Sequence, residues 1–472
     1  MNVDHRFSDS EFCRSPRRFV TLRVLAALLL GLACLSSPAC APQDPVPRQP
    51  HPIIIVDVDT LRADHLGCYG YHRDTSPNID AFSAESVFFE KAFGQAPSTP
   101  PSQTSILTGL YPSSHGMIYD DDRVPLAVTT LAEALLAHGY TTAGFHDGGF
   151  MRDVFQIGQG FELYDDSDGK GLKRVGPKAL EWMRQHAEEN FLLFIHTYDP
   201  HTPYAPPPPY DTWFMEGVPA PSPGFEPTSK ALEKIRLSKY TKNPVSLPPN
   251  DIAYAKALYD GEIRYVDTWF GEFWEVVREL GLDQRATIVF ISDHGEEFQE
   301  HGSVLHEKLY TTITRLPLMI RLPGGANARS VPDVVESVDL MPTLLELAGV
   351  HIPEEVQGTS LVSLITTGRG SVEPPTAFAE WPYYGHRRGV VLGNHHMLFT
   401  MRDVEFELYD LDTDPLEQDN IAPRNPATLA VMWSHLEAWQ AAVDNQPPPR
   451  DAESTPLDEE TIDSLKALGY VQ

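Results

Sequence analysis

The stretch from Ala96 to Gly109 could carry out chemistry, because a proline-rich loop there leads into an amphipathic segment through several hydroxyl-bearing residues. Its prolines predict no helix over 97–101, and its Ser and Thr residues can cap the helix that follows. A helix N-terminus presents free backbone N–H groups and a partial positive charge, which favour an anion. A hydroxyl held there, such as that of Thr99, can attack a phosphate or sulfate ester. The alternative is an ordinary capped helix without a catalytic role.

Three apolar runs predict buried parallel strands, and each is followed by residues that can bind a metal ion or move a proton. They are 51–59, which ends in Asp57 and Asp59; 191–196, which leads to His201; and 287–292, which leads to Asp293 and His294. Ligands of such sheets bind at the carboxyl ends of the strands. These residues should therefore meet at one edge of a sheet.

A buried carboxylate is costly unless it is paired or binds a metal ion. Asp59, Thr99, Asp293 and His294 therefore predict one divalent-cation site with oxygen and nitrogen ligands and a hydroxyl at its edge. For Asp57 and Asp59 the alternative is that they cap the turn after their strand. Three further histidines follow neighbouring elements and could hold the anion or protonate a leaving group: His146, His201 and His306.

The elements that must position these residues alternate between strand and helix, which predicts an α/β fold with a mostly parallel sheet and helices on both faces. The helical patterns cover 129–138, 177–189, 251–280, 426–443 and 456–468. Residues 203–250 are rich in proline and predict an irregular substrate rim or lid. After about residue 370 short strands predict a small antiparallel subdomain, so the expected domains are 51–370 and 371–472.

The net charge of the chain bears on which partners the protein can bind. The 472 residues carry 36 Lys and Arg against 66 Asp and Glu, a formal net charge of −30, which argues against nucleic acid as a partner. An acidic protein that handles an anionic ester needs a local positive centre, and a divalent cation can provide it.

Residues 1–40 predict an export signal, with a lipoprotein signal as one alternative: arginines precede the apolar run 25–35, which is too short to span a bilayer. Cys40 is the candidate for lipidation and membrane attachment, and Cys34 competes with it. The expected location is the periplasm or cell envelope. Cys68 is the one cysteine beyond this leader, so neither a disulfide framework nor a cysteine zinc site is expected.

With these residues in hand, the chain resembles the sulfatase family of the alkaline phosphatase superfamily over roughly 51–425. The segments 58–70 and 292–296 are similar to the family's two metal motifs, 200–203 to an active-site loop, and 409–417 to a segment of the C-terminal subdomain. The resemblance implies an alkaline phosphatase-like fold with a small C-terminal antiparallel subdomain. It also implies a metal-dependent ester hydrolase.

The departures from the family pattern concern the chemistry. Sulfatases carry a Cys or Ser that becomes formylglycine, and counting back from Thr108-Gly109 puts Thr99 at that position and Gln103 at that of the signature arginine. Ser98 would match only if the register slipped by one residue. His294 replaces the Asn of many sulfatases, as in phosphonate and phosphodiester hydrolases of the superfamily, and His306 replaces the substrate lysine.

The resemblance implies that Thr99 is the nucleophile, with Asp59, Thr99, Asp293 and His294 around one divalent ion, Ca²⁺ before Mn²⁺ or Zn²⁺. Gln103, His146 and His306 would contact the anion, and His201 the leaving group. Phosphodiesters of small molecules, glycans or lipids are favoured over sulfate esters. The alternatives are an inactive sulfatase-like lipoprotein that binds an envelope ligand, and a phospho-group transferase. The sequence indicates no oligomeric state.

Overall fold

An eight-stranded sheet forms the centre of the protein in this computed structural model, which describes residues 48–119, 121–166, 171–370, 374–383, 386–446, 449 and 457–468. The predicted leader, with Cys34 and Cys40, lies outside the described residues. Among the residues that are described, no helix has the length and apolar character needed to cross a membrane.

The strands of the central sheet lie in the order β10-β2-β9-β6-β1-β5-β3-β4. They are β1 (Ile53–Val58), β2 (Val87–Phe93), β3 (Thr141–Phe145), β4 (Leu163–Asp165), β5 (Phe191–Thr197), β6 (Thr287–Ile291), β9 (Arg315–Arg321) and β10 (Arg329–Glu336). All neighbouring pairs are parallel except those of β9, which is antiparallel to β2 and β6. The predicted mostly parallel α/β sheet is confirmed.

Helices cover both faces of this sheet, because alternate residues of its buried strands point to opposite sides. Ile53 and Ile55 of β1 belong to one hydrophobic core, and Ile54 and Val56 belong to the other. The helices are α1 (Pro77–Ala84), α2 (Thr99–Thr108), α3 (Pro112–His115), α4 (Leu131–Leu136), α5 (Leu172–Gln185), α6 (Ser229–Ser238), α7 (Pro249–Glu279), α8 (Thr311–Thr314), α9 (Leu340–Ala348), α10 (Val362–Thr367), α11 (Pro426–Asp444) and α12 (Glu459–Leu468).

A small antiparallel sheet follows, as expected. Its strands are β11 (Thr376–Trp381), β12 (Arg387–Leu392), β13 (His395–Thr400) and β14 (Glu405–Asp410), paired in chain order. Helix α11 packs on it through Leu436 and Trp439. A separate two-stranded hairpin, β7 (Glu297–Phe298) and β8 (Val304–Leu305), lies between β6 and β9 in the chain and leads directly to His306.

Two local predictions were wrong. Helix α2 begins at Thr99 and includes Pro100 and Pro101, although the prolines predicted no helix there. The first turn of a helix tolerates proline, because its N–H groups have no partner within the helix. The region 203–250 is also not wholly irregular, since α6 forms within it after the capping residue Thr228.

Candidate active site

The carboxyl ends of three adjacent strands meet at one point of the sheet. β1 lies between β5 and β6, and Asp57 is in register with His196 of β5 and Ile291 of β6. Asp59 follows β1 directly, and Asp293 comes two residues after β6. The parallel arrangement therefore brings together side chains that are more than 200 residues apart in sequence.

The start of α2 is not capped by a side chain. Ser98 occupies the N-cap position but makes no capping hydrogen bond with its side chain. A cap needs the N–H of the second or third helical residue, and here these are Pro100 and Pro101, which have none. The ordinary capped helix considered above is therefore absent at this position, and so are most of the free N–H groups that we expected to hold an anion.

The Thr99 hydroxyl is fully buried and points at the strand ends. Its Oγ1 donates a hydrogen bond to Asp59 Oδ2 at 3.0 Å and lies 3.4 Å from His294 Nε2. Gln103 is one helical turn further along α2 and is also fully buried. The structure thus brings the predicted nucleophile against the predicted cation ligands.

His294 is oriented as a metal ligand would be. Its Nδ1 lies 3.0 Å from the carbonyl oxygen of Gly295, which can only accept, so Nδ1 carries the proton and Nε2 has the free electron pair. That Nε2 faces Thr99 Oγ1 and lies 3.5 Å from Asp293 Oδ2. A backbone carbonyl that fixes the tautomer in this way is common behind metal-binding histidines.

A strained turn after β1 positions the Asp293 carboxylate. Thr60 has a φ of 55°, which is unusual for a β-branched residue. Its N–H donates to Asp293 Oδ1 at 3.3 Å, and the N–H of His294 donates to the same oxygen at 2.8 Å. The other oxygen, Oδ2, is left facing the site.

Several carboxylate oxygens in this cluster lack a hydrogen-bond donor. Within the described part of the chain, both oxygens of Asp57, Oδ1 of Asp59 and Oδ2 of Asp293 have none. Burial, followed by the nearby charge of Asp293, raises the pKa of Asp57 well above its usual value. Burial and Asp59 raise the pKa of Asp293 to about 6. Orphaned acceptors around one point fit a divalent cation, which would relieve their repulsion.

His196 is the residue at this site that the sequence analysis missed. Its Nε2 lies 3.6 Å from Asp59 Oδ2, and its Nδ1 lies 3.8 Å from Asp147 Oδ1. Burial lowers the pKa of His196, but these carboxylates and Asp57 outweigh that effect and raise it to about 10. The same imidazolium, with His294, holds the pKa of Asp59 below its usual range despite burial.

Two ligand sets are consistent with these positions. Ligand atoms of Asp59, His196 and Asp293 lie within 4.8 Å of one another. The predicted set takes His294 and Thr99 in place of His196. His196 lies between two carboxylates that raise its pKa, which suits a counter-charge, whereas His294 has its Nδ1 bonded to a carbonyl oxygen and turns Nε2 toward the site.

His201 and His306 lie beside the cluster. The ring centroid of His306 is 4.5 Å from that of His294 and 5.2 Å from that of His201. His201 donates from Nδ1 to the carbonyl oxygen of Thr202 at 2.8 Å, and this bond fixes the orientation of its ring. Buried Glu296, whose pKa burial raises to about 7, lies 3.3 Å from His306 Nδ1. Glu296 could have been suspected because it follows His294 by two residues.

His146 is not brought against Thr99 by any contact described. Its ring is tilted against that of Tyr164 with centroids 4.6 Å apart, its Nδ1 accepts from the N–H of Gly148, and its Nε2 lies 3.7 Å from Asp166. Burial lowers the pKa of His146 to about 3. Its role in substrate binding stays a prediction.

One cavity of the protein lies away from this cluster. A cavity of about 380 Å³ lies elsewhere, between the end of β10 and the C-terminal sheet, lined among others by Glu336, Asp339 and Trp439. None of the predicted catalytic or metal-binding residues lines it. The assignment of the active site depends on the chemistry of its side chains.

Known proteins resemble this chain over most of its length. The family model described as Sulfatase matches residues 51–350, and that of the C-terminal region of N-sulphoglucosamine sulphohydrolase matches residues 299–441. An arylsulfatase of Clostridium perfringens (strain 13 / Type A) is 26% identical over 435 residues, which cover 78% of this chain and 89% of that protein.

Solved structures share the fold. A protein solved in complex with its substrate D-glucosamine-2-N,6-O-disulfate superposes with a TM-score of 0.72 at 19% identity, over 85% of this chain and 100% of that one. The phosphonate monoester hydrolase of Silicibacter pomeroyi superposes with a TM-score of 0.68 at 19% identity, over 84% and 96%.

Proposed function

Because the chain belongs to the sulfatase family, whose members hydrolyse sulfate and related esters, we propose that it is a metal-dependent hydrolase that uses Thr99 as its nucleophile and prefers phosphodiesters. The observation that carries the proposal is the buried Thr99 hydroxyl, hydrogen-bonded to Asp59 and facing the free electron pair of His294. A threonine cannot become formylglycine by the usual route, so the hydroxyl itself must attack.

The proposed cation ligands are Asp59, Thr99, Asp293 and His294, with Ca²⁺ the first ion to test and Mn²⁺ and Zn²⁺ the alternatives. A divalent cation bound there would supply positive charge that favours the Thr99 alkoxide and polarises an ester oxygen. Three carboxylates already crowd this point, which favours a cation over an empty site.

In the proposed reaction Thr99 Oγ1 forms a bond to phosphorus while the bond to the leaving oxygen breaks. Asp59 accepts the hydrogen bond of the hydroxyl before attack and takes its proton as the new bond forms. His201 and His306 are the candidates to hold the leaving oxygen and return a proton to it. Water then cleaves the phosphothreonine ester, so that each turnover consumes one water and releases an alcohol and a monoester.

The charge of the site supports a singly charged substrate. Gln103 and His306 stand where the family resemblance puts an arginine and a lysine, so two fixed positive charges are missing. A phosphate monoester would bring two negative charges close to Asp57, Asp59 and Asp293, whereas a phosphodiester or sulfate monoester brings one. Thr99 and His294 both match the phosphodiesterase side of the superfamily, and the shared fold with a phosphonate monoester hydrolase is compatible with that choice.

We also propose that the protein is exported and anchored through Cys40, with 51–370 as the catalytic domain and 371–472 as the C-terminal subdomain. Its substrate would then be a small-molecule, glycan or lipid ester of the cell envelope. Mass spectrometry of the protein from membranes, compared with Cys40→Ser, tests the lipid.

The test of function is hydrolysis of an aryl phosphodiester, an aryl sulfate and an aryl phosphate monoester by the protein lacking residues 1–40. Each assay runs with and without chelator, beside Thr99→Val and the neighbouring control Ser98→Ala. We expect diester turnover that is lost with chelator and in Thr99→Val but kept in Ser98→Ala. Sulfate turnover alone would contradict the preference, and activity that depends on Ser98 would contradict the nucleophile. Cation binding without turnover of any ester would favour the inactive binding protein.

A further inference from the structure

Helix α12 lies at the C-terminal end of the described chain and packs against the active-site loops. Both matched family models end before it, at residues 350 and 441. Leu465 is fully buried and joins the same hydrophobic core as Phe150 and Tyr198. A ten-residue helix is marginal by itself, so its docking, rather than its own propensity, must hold it in place.

The docking contact is centred on Gly149, in the loop after β3. The N–H of Gly149 donates to Ser464 Oγ at 3.0 Å. A Cβ at this residue would lie 2.6 Å from Leu468 Cδ1 and 2.6 Å from the Tyr198 hydroxyl oxygen, and its φ is +58°. Helix, loop and Tyr198 therefore meet so closely that only glycine fits between them.

Tyr198 connects this contact to the catalytic histidines. Its hydroxyl accepts from the N–H of Phe150 at 2.9 Å, and its own N–H donates to Asp147 at 3.0 Å. Its ring packs edge-on against His196 and His201, with centroids 5.0 Å and 5.7 Å away. A displacement of Tyr198 would thus move the imidazole rings of both His196 and His201.

Two polar contacts brace α12 on either side of Leu465. Glu460 pairs with Arg152 at 3.3 Å, and the carbonyl oxygen of Ala467 accepts from Ser229 Oγ at 3.3 Å, at the start of α6. The helix therefore joins the loop after β3 to the region between β5 and α7, and His201 belongs to that second segment.

From these contacts we propose that α12 is a positioning element of the active site: Leu465 and Ser464 hold the loop 146–152 against Tyr198 and so fix His201 and His196. This positioning role goes beyond the proposed function, but it rests on that function for the assignment of His201 to the leaving group. An imidazole that must meet a reacting oxygen within a few tenths of an ångström is sensitive to such support, since a displacement of about 1 Å can cost roughly a hundredfold in rate.

The experiment compares Leu465→Ala with Leu436→Ala in the otherwise complete chain. Leu436 is a matched control, because it is equally buried but packs in α11 against the C-terminal sheet. We measure kcat and KM for the aryl phosphodiester, hydrogen exchange of residues 146–152, the global unfolding midpoint and the imidazole NMR signals of His196 and His201. Leu465→Met, which conserves volume, should restore the wild-type behaviour.

We expect Leu465→Ala to lower kcat by about tenfold to a hundredfold with little change in KM, to speed exchange over 146–152 and to shift both imidazole signals. Leu436→Ala should lower the unfolding midpoint without these effects. The inference is overturned if exchange rises while kcat and the imidazole signals stay unchanged, or if both variants lose activity in proportion to their stability. If the wild-type protein turns over no ester, the proposed function fails, and the imidazole signals alone still decide whether α12 positions these residues.

Discussion

Replacing Thr99 by valine tests the nucleophile with the least disturbance of the structure. The two side chains have nearly the same shape, and Thr99 is fully buried, so the change leaves no cavity. It removes the hydroxyl that donates to Asp59 Oδ2 at 3.0 Å. The attack on phosphorus then has no oxygen to make it.

The expected magnitudes separate catalysis from folding. Loss of a hydrogen bond to a charged group costs about 1.5–3 kcal/mol of stability, and the added buried methyl group returns about 0.8 kcal/mol. In the absence of metal, the free energy of unfolding of Thr99→Val should therefore be about 1–2 kcal/mol lower than that of the wild type, and the variant should still be folded at 25 °C. Its kcat should fall at least about a thousandfold, which corresponds to roughly 4 kcal/mol of transition-state stabilisation.

Thr99→Ser is the matched control, because it keeps the hydroxyl and removes only a methyl group, at about 1 kcal/mol of stability. Its activity should stay within about tenfold of wild type. The assay is steady-state hydrolysis of the aryl phosphodiester with Tm measured on the same samples, followed by acid quench and mass spectrometry of the peptide that contains Ser98 and Thr99. A phosphoryl group on Ser98, or turnover by Thr99→Val close to wild type, would refute the reasoning.

Three further predictions concern neighbouring residues. His294→Gln should weaken divalent-cation binding by about a hundredfold or more in calorimetry, because it removes a proposed ligand. His196→Gln should weaken binding far less, because it removes only a counter-charge. Equal effects of the two variants would favour His196 as the ligand. Gln103→Arg should raise the rate on phosphate monoesters relative to phosphodiesters by about tenfold, since a positive charge favours the doubly charged ester, and an unchanged ratio in competition assays would contradict the charge argument. Burial lowers the pKa of His301, but the carboxylate of Glu297 outweighs that effect and raises the pKa above 6.5. The ion pair between His301 and Glu297 therefore stabilises the fold fully below about pH 6.5, and its contribution is lost as pH rises through the pKa of the folded state. Denaturant unfolding of wild type and His301→Gln should accordingly differ most at low pH and converge at high pH, and a constant difference would argue against the ion pair.

The strand-end chemistry was predictable because it depends on local pattern. Long apolar runs can only be buried strands in a chain of this size, and a carboxylate directly after such a run has few tolerable environments. Asp59, Asp293 and His294 could be named on that basis. Their meeting point followed from the rule that parallel strands present their carboxyl ends at one edge.

The surroundings of Thr99 were harder to predict. The sequence contains Pro100 and Pro101, but whether they end a loop or begin a helix depends on where the first turn is placed, and that placement is decided by packing of α2 on the sheet. His196 was missed because a histidine inside an apolar run looks like one more core residue. Only the register of β5 beside β1 puts it between Asp59 and Asp147.

By itself, then, the sequence determined the α/β architecture and the residue types at the carboxyl ends of its strands, since both follow from short-range spacing. Tertiary structure alone decided that His196 lies between Asp59 and Asp147, that His294 faces Thr99, and that α12 packs behind Tyr198. Those outcomes depend on contacts between residues far apart in the chain, whose geometry is fixed by packing and by the burial of charge rather than by any local preference.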